Sequence, residues 1–518
     1  MSGSSNSPKA NSLTSAAAVW SFFVVVLPLA TVLALDRHKW DALELLPLVT
    51  IVYAASRLAS LQRGGTAKIV TVCVWVFVYI FFGLVPLLQM LAGAGFPFRG
   101  QFYSPADVLR GYSAVLIGLA AFDFGGWFST RRIVAGHRPV AEALFSRRLS
   151  RGRIYTTTLV GIFLTTEMII AVGGLQSLLV ARMERLQNIA SVAGGEGQAM
   201  LEIWDALLRT PSAAAFLCLL AFRGGGRRLR FIGTVLLVVA GAFLALISNP
   251  VNASRNWAGT VFLAIMFIVV RWNNKRSVAL VSIALATMFV VVFPFADTFR
   301  YSLNANMTDR MAGGGNMMTV LTTKDDFDAM QNMFSTVEYV RTEGFTYGSQ
   351  LMGSMLFWVP RSVWPDKPQP TPALLATYEG YFFKNISTPL WAEMYIDGGP
   401  LLVCLFFFLY GIFINGLEAR YLFDRNIEAA TLATVFVPVF APYQFYLLRG
   451  SLMAAVSGLI PMCIFLLAAT GRPCTTSEEM LATSRLFGTH FRNRGSDGFA
   501  VAGKRYQSAA NSGYTVRR

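Results

Sequence analysis

The chain has 518 residues, 54 % of them apolar and only 14 % charged, with positive mean hydropathy. A soluble globular chain carries roughly 25 % charged residues, so a water-soluble enzyme, a disordered chain and a disulfide scaffold are all disfavoured. Forty-four Lys and Arg against 28 Asp and Glu give a net charge of +16. In a polytopic membrane protein that excess reports orientation, and no nucleic-acid partner is needed to explain it.

Twelve apolar runs are expected to span a bilayer as helices, at 15–35, 43–61, 68–93, 106–129, 154–174, 206–222, 231–248, 257–271, 277–296, 396–416, 428–447 and 451–470. The predicted fold is therefore an all-α polytopic membrane protein. Residues 1–14 form an N-terminal tail. Spans 1–9 occupy 15–296, and a large loop follows at 297–388. Spans 10–12 occupy 389–470, and a basic tail takes 471–518. The first run lacks a small-residue cleavage site and is expected to stay in the membrane. Cys73, Cys218, Cys404 and Cys463 fall inside apolar runs and Cys474 just beyond, so all five read as small apolar fillers.

The connecting charges set the sides. Arg131, Arg132, Arg138, Arg147, Arg148, Arg151 and Arg153 lie between spans 4 and 5 with the single acid Glu142. The joints between spans 2 and 3, 6 and 7, and 8 and 9 are also basic, and the tail after Gly471 has eight basic residues against three acids. With twelve spans these all face one side, which the positive-inside rule makes cytoplasmic, and both termini are expected there. The 92-residue loop 297–388 has seven basic and nine acidic residues and falls outside. Its Phe357, Trp358, Trp364, Tyr378, Tyr381, Phe382 and Phe383 predict a segment folded against the membrane surface. A second outer segment at about 175–205, with Arg182, Glu184 and Arg185, suits an interfacial helix, and Gly313–Gly315 suits a hinge.

No Walker motif, GxGxxG, HExxH or Cys/His cluster is present, so neither metal nor cofactor is expected. His38, His137 and His490 all lie outside the large loop. What remains on the outer side are cations at comparable depth. Arg255 follows span 7 and Arg300 follows span 9. Arg361 and Lys367 lie in WVPRSVWPDKPQP, and Arg449 lies in YLLRG between spans 11 and 12. A guanidinium forks onto phosphate oxygens, so such a cluster suits a diphosphate; a single arginine at a helix end more often snorkels to the headgroups. Glu393, in TPLWAEMYIDGGP before span 10, reads either as a general base or as a helix-end acid offsetting the macrodipole. Asp397, one turn on, Tyr395 and Trp364 are secondary candidates. Inside the spans, Glu44, Arg57, Arg110, Asp123 and Glu167 are costly and call for partners.

The run VPRSVWPDKP resembles the PR-x-x-W-P-x-K-P segment of bacterial oligosaccharide repeat-unit polymerases of the O-antigen polymerase type. AEMYIDGGPLLVCLFFFLYG is similar to the GE-x-Y-x-x-x-G segment that follows it there, NASRNWAG to a short S-R outer turn, and LLRGSL to a later R-G turn. These agree in order over roughly 250–460. Ala392 stands where a glycine often precedes the glutamate, and Gly398–Gly399 replaces an aromatic before glycine. The resemblance implies a metal-independent glycosyltransferase in the bacterial inner membrane. It would join undecaprenyl-diphosphate-linked oligosaccharides on the outer leaflet, in O-antigen, capsule or exopolysaccharide synthesis, with a chain-length regulator as a possible partner. Arg255, Arg361 and Arg449 would bind diphosphate with Lys367 assisting, and Glu393 would act as base. An O-antigen ligase type would place a histidine in the large loop, where this chain has none. A flippase or exporter would show two similar halves, and no internal repeat is visible.

Overall fold

The computed structural model describes residues 10–35, 40–64, 68–93, 103–178, 198–224, 231–249, 253–270, 275–292, 317–381, 383–384 and 386–473. Arg300, the 179–197 part of the second outer segment, Gly313–Gly315, Phe382, His38, His490 and Cys474 lie outside them.

The described residues are predominantly helical, and helix occupies most of the described part of each of the twelve apolar runs. Seven helices are long and apolar enough to cross a membrane: Thr14–Leu33, Ala42–Gly64, Ile69–Leu91, Pro105–Val134, Arg151–Ala171, Trp204–Phe222 and Leu390–Asn426. Phe231–Ile247, Arg255–Val269, Val278–Val291 and Leu452–Ala468 are shorter apolar helices. Leu432–Arg449 carries Pro438 and Pro442 within its turns. A short antiparallel pair joins Arg147–Leu149 to Thr470–Pro473.

Helix 69–91 runs through the centre, with Trp75, Tyr79, Phe81 and Phe82 fully enclosed. Helix 105–134 packs along helix 390–426 through glycines. A Cβ on Gly125 would lie 2.0 Å from the Phe408 carbonyl oxygen, and one on Gly411 would lie 2.1 Å from that of Phe122. Small residues of this kind let two membrane helices bring their backbones together. Several of the costly charges find partners. Arg57 pairs with Asp123 at 2.7 Å, Tyr53 donates to the same carboxylate at 2.7 Å, and Glu44 closes a capping box with Asp41.

The segment read as an outer loop divides in two. Its first half, the helices Met317–Thr323 and Ala329–Glu343, enters the bundle, where Phe334 packs on Tyr103 and Tyr112. Its second half carries the short helices Ser349–Met355 and Thr371–Tyr378, joined by an irregular stretch at 356–370. Of its aromatics, Phe357 is buried and Trp358 is exposed.

Candidate functional site

Two of the predicted arginines meet on one acidic turn. Lys324 leaves helical geometry, Asp325–Phe327 forms a single 3₁₀ turn, and Asp328 precedes the next helix. Phe327 anchors the turn by stacking on Phe81, centroids 5.8 Å apart, while the Gln89 amide donates to its carbonyl at 3.2 Å. Asp326 then accepts from Arg255 Nη2 at 2.9 and 3.0 Å. Asp328 accepts from Arg449 Nη2 at 3.3 Å, from the Asn332 amide at 2.9 Å and from the Ser387 N–H at 3.0 Å, and also from the Ser387 hydroxyl.

The macrodipole explains why each arginine needs a different degree of help. Arg449 lies in the last turn of helix 432–449, where the helix end is negative and welcomes a cation. Arg255 opens helix 255–269, where the end is positive, so Asp326 offsets an unfavourable placement. A third guanidinium adjoins them. Arg209 pairs with Asp205 at 2.5 Å, reaches the capping Ser254 hydroxyl at 3.4 Å, and sits 5.1 Å over the Trp257 ring.

Glu393 and Asp397 occupy the first turns of helix 390–426. That helix breaks at Gly398 and Gly399, the latter with φ of +61°. Pro400 causes the break: it has no N–H for the Ile396 carbonyl, and it keeps the preceding residue out of the helical region. The released Ile396 carbonyl accepts the Thr346 N–H at 2.9 Å instead. Asp397 beside it accepts from the Thr346 hydroxyl at 2.5 Å and from the N–H groups of Gly348, Gln350 and Leu351 at 3.1, 3.2 and 2.7 Å. It is thus the N-terminal cap of helix 349–355, supplied from another segment.

Glu393 works similarly. One oxygen accepts the Leu452 N–H at 2.9 Å, at the start of helix 452–468, and the other accepts the Thr371 hydroxyl at the start of helix 371–378. Glu393 is 2 % exposed and Asp397 3 %. Both carboxylates staple separate chain segments together, and neither presents a free oxygen edge to solvent.

Arg361 and Lys367 belong to the irregular stretch and close it on itself. The Lys367 ammonium donates to the carbonyls of Phe357 at 2.6 Å and Val359 at 3.0 Å. Burial, then the Arg361 charge, lowers its proton affinity below that of an ordinary lysine. Arg361 donates to the carbonyls of Lys367 at 2.7 Å and Pro368 at 3.4 Å. Among the described residues no hydrogen bond or ion pair joins it to Glu393, Arg255 or Arg449. Trp364 is half-buried, and its backbone N–H donates to the Pro360 carbonyl at 3.0 Å. Tyr395 is buried near Asp107 and Arg110 of helix 105–134.

The structure therefore links Arg255, Arg449 and Glu393. Asp326 and Asp328 join the two arginines, and Glu393 holds Leu452 in the turn that follows Arg449. Asp397 and Lys367 are committed to architecture. Sequence reasoning missed Arg209, Asp326, Asp328, Thr346 and Thr371. The acids were visible in KDDFD, a run unusually acidic for a chain so basic overall, and would have been the signal. In comparisons with known proteins, the chain matches no family model, no curated protein and no solved structure.

Proposed function

We propose that this chain is a membrane-embedded, twelve-span transferase that joins lipid-diphosphate-linked oligosaccharides on the outer leaflet of the bacterial inner membrane, with both termini cytoplasmic. The observation that carries the reading is the meeting of Arg255 and Arg449, from helix ends remote in sequence, on the 326–328 turn beside the Leu452–Glu393 contact. The motif resemblance over 250–460 names these three residues together with Arg361 and Lys367. Oriented guanidinium groups suit a diphosphate, and their aspartate partners hold the forks in place until phosphate oxygens take over part of that role.

In the proposed reaction the acceptor sugar hydroxyl replaces the Thr371 hydroxyl at Glu393 and gives its proton to that carboxylate. The hydroxyl oxygen bonds to the anomeric carbon of the donor glycan. The bond from that carbon to the diphosphate oxygen breaks, and its electron pair leaves with the diphosphate. Arg255 and Arg449 stabilise the charge that develops there.

Purified lipid-linked units and reconstituted protein test the reading. Glu393→Gln keeps an acceptor for the Leu452 N–H but removes the proton acceptor, so polymer should fall by about 10²–10⁴-fold with little change in unfolding midpoint. Arg255→Lys and Arg449→Lys should not restore polymer, because a point charge lacks the fork. Normal polymer from the glutamine variant ends the assignment of the base. Normal polymer from both lysine variants ends the diphosphate assignment.

A further inference from the structure

The stretch 356–368 buries the ammonium of Lys367 while it leaves large apolar side chains exposed. Lys367 is 6 % exposed, with its ammonium enclosed by the stretch's own carbonyls. Trp358 is 62 % and Val363 74 % exposed. Helix 349–355 continues the pattern. Its Gly353 face is filled by Pro368 and Met453, whereas Met352 and Met355 point away from that packing and are exposed, as is Tyr347 before it. In water the favourable arrangement is the reverse, with lysine solvated and tryptophan covered.

We propose that the face formed by Tyr347, Met352, Met355, Trp358 and Val363 seats in the lipid leaflet beside helix 390–426, as an interfacial anchor. Continuity with the lipid-facing surface identifies lipid as the occupant. Helix 390–426 turns Leu401, Leu405 and Leu409 outward, and the anchor is fastened to the turn just before them. Thr346 bonds to Ile396, Leu351 bonds to Asp397, and Phe345 lies against Gly399. Composition agrees, since tryptophan and tyrosine favour the headgroup boundary, with Arg361 and Asp366 exposed at the rim. The inference rests on membrane embedding alone and is independent of the transferase reading.

Nitroxide labels on the full chain test it, with the five natural cysteines replaced and the protein reconstituted in phosphatidylethanolamine and phosphatidylglycerol vesicles. Labels at Val363→Cys and Met352→Cys are compared with Leu405→Cys, on the lipid-facing surface, and Glu343→Cys, at an exposed helix end. Collision with oxygen, which concentrates in lipid, is read against collision with a water-soluble nickel chelate. Both anchor labels should show an oxygen-to-nickel ratio several-fold above Glu343→Cys and approaching Leu405→Cys. A ratio equal to that of Glu343→Cys would place the face in water and overturn the proposal. Shielding from both reagents would overturn it differently, by showing a second copy or another protein on the face.

Discussion

The two ends of the helical bundle satisfy several of their backbone groups with opposite charges. At the end that holds Arg449, helices 105–134, 329–343, 349–355 and 452–468 begin, and carboxylates stand at their first turns. Asp107 pairs with Ser104, Asp328 precedes Ala329, Asp397 caps Gly348, Gln350 and Leu351, and Glu393 takes the Leu452 N–H. At the other end, arginines donate to carbonyls at or just beyond the ends of helices, although Glu418 there accepts the Thr71 N–H where helix 69–91 begins. Arg425 reaches Phe267 at 3.4 Å and also Val270, Arg153 reaches Thr470 at 2.6 Å, and Arg147 reaches Gly471 at 3.1 Å. Each pairing follows the orphaned donors and acceptors and the field at that helix end. The arginine asymmetry that the positive-inside rule reads as orientation is thus also capping chemistry.

Two charge clusters, one at each end, differ in reach. Around Arg420 much of the pairing is local. Arg420 meets Asp424 at 2.7 Å within one helix turn, and Thr431 donates to Asp424 at 2.6 Å, although Glu142 joins from farther away at 3.5 Å. At the Arg449 end the partners come from remote segments, so one acid organises several pieces of chain.

That contrast predicts the largest loss at Asp328. Asp328→Ala removes one acceptor shared by the Arg449 guanidinium, the Ser387 N–H and the Asn332 amide, and should cost about 3–5 kcal/mol in unfolding free energy in micelles. Asp424→Ala should cost less, since Arg420 keeps Glu142. Equal losses would erase the distinction between remote and local pairing. Next comes Asp397→Ala, which removes the cap of a seven-residue helix. A loss of about 1–3 kcal/mol is expected, with faster amide exchange concentrated in 346–355. Exchange that rises uniformly over the bundle would show that the cap does not act locally. The smallest effect tests the opposite end. Arg425→Ala should cost about 1 kcal/mol through the lost carbonyl bonds. Arg138→Ala, whose exposed side chain only approaches Glu142 at 4.0 Å, should stay within about 0.5 kcal/mol. Identical losses at these two arginines would argue against capping by Arg425.

The helices were legible because a bilayer demands long uninterrupted apolar runs, and such runs leave little else to choose. Segment 329–337 was not legible. AMQNMFSTV reads as a polar outer stretch, yet it is buried, because its polar groups are satisfied by distant partners. Asn332 donates to Asp328 and to the Ser387 carbonyl, Ser335 meets the Tyr103 hydroxyl, and Gln331 meets that of Tyr381. Arg255 and Arg449 were found in sequence because cations at helix ends stand out against apolar flanks. Their aspartates were not, because pairing across such sequence distances leaves no local pattern. For Arg361, prolines and tryptophans marked a built loop, but nothing in the run told that its guanidinium donates to the loop's own carbonyls.

The interruption at Gly398–Gly399–Pro400 has one more consequence. Glu393, Asp397, Leu401, Leu405 and Leu409 recur every fourth residue, so a continuous helix would carry them along one slowly drifting row. The carboxylates would then tend to follow the leucines toward hydrocarbon, where a charge is severely penalised. The break resets the phase of the helical wheel between Asp397 and Leu401. A single repeating pattern thereby serves two solvents, with its acidic members turned to protein and its leucines, beginning with the 81 % exposed Leu401, left facing out.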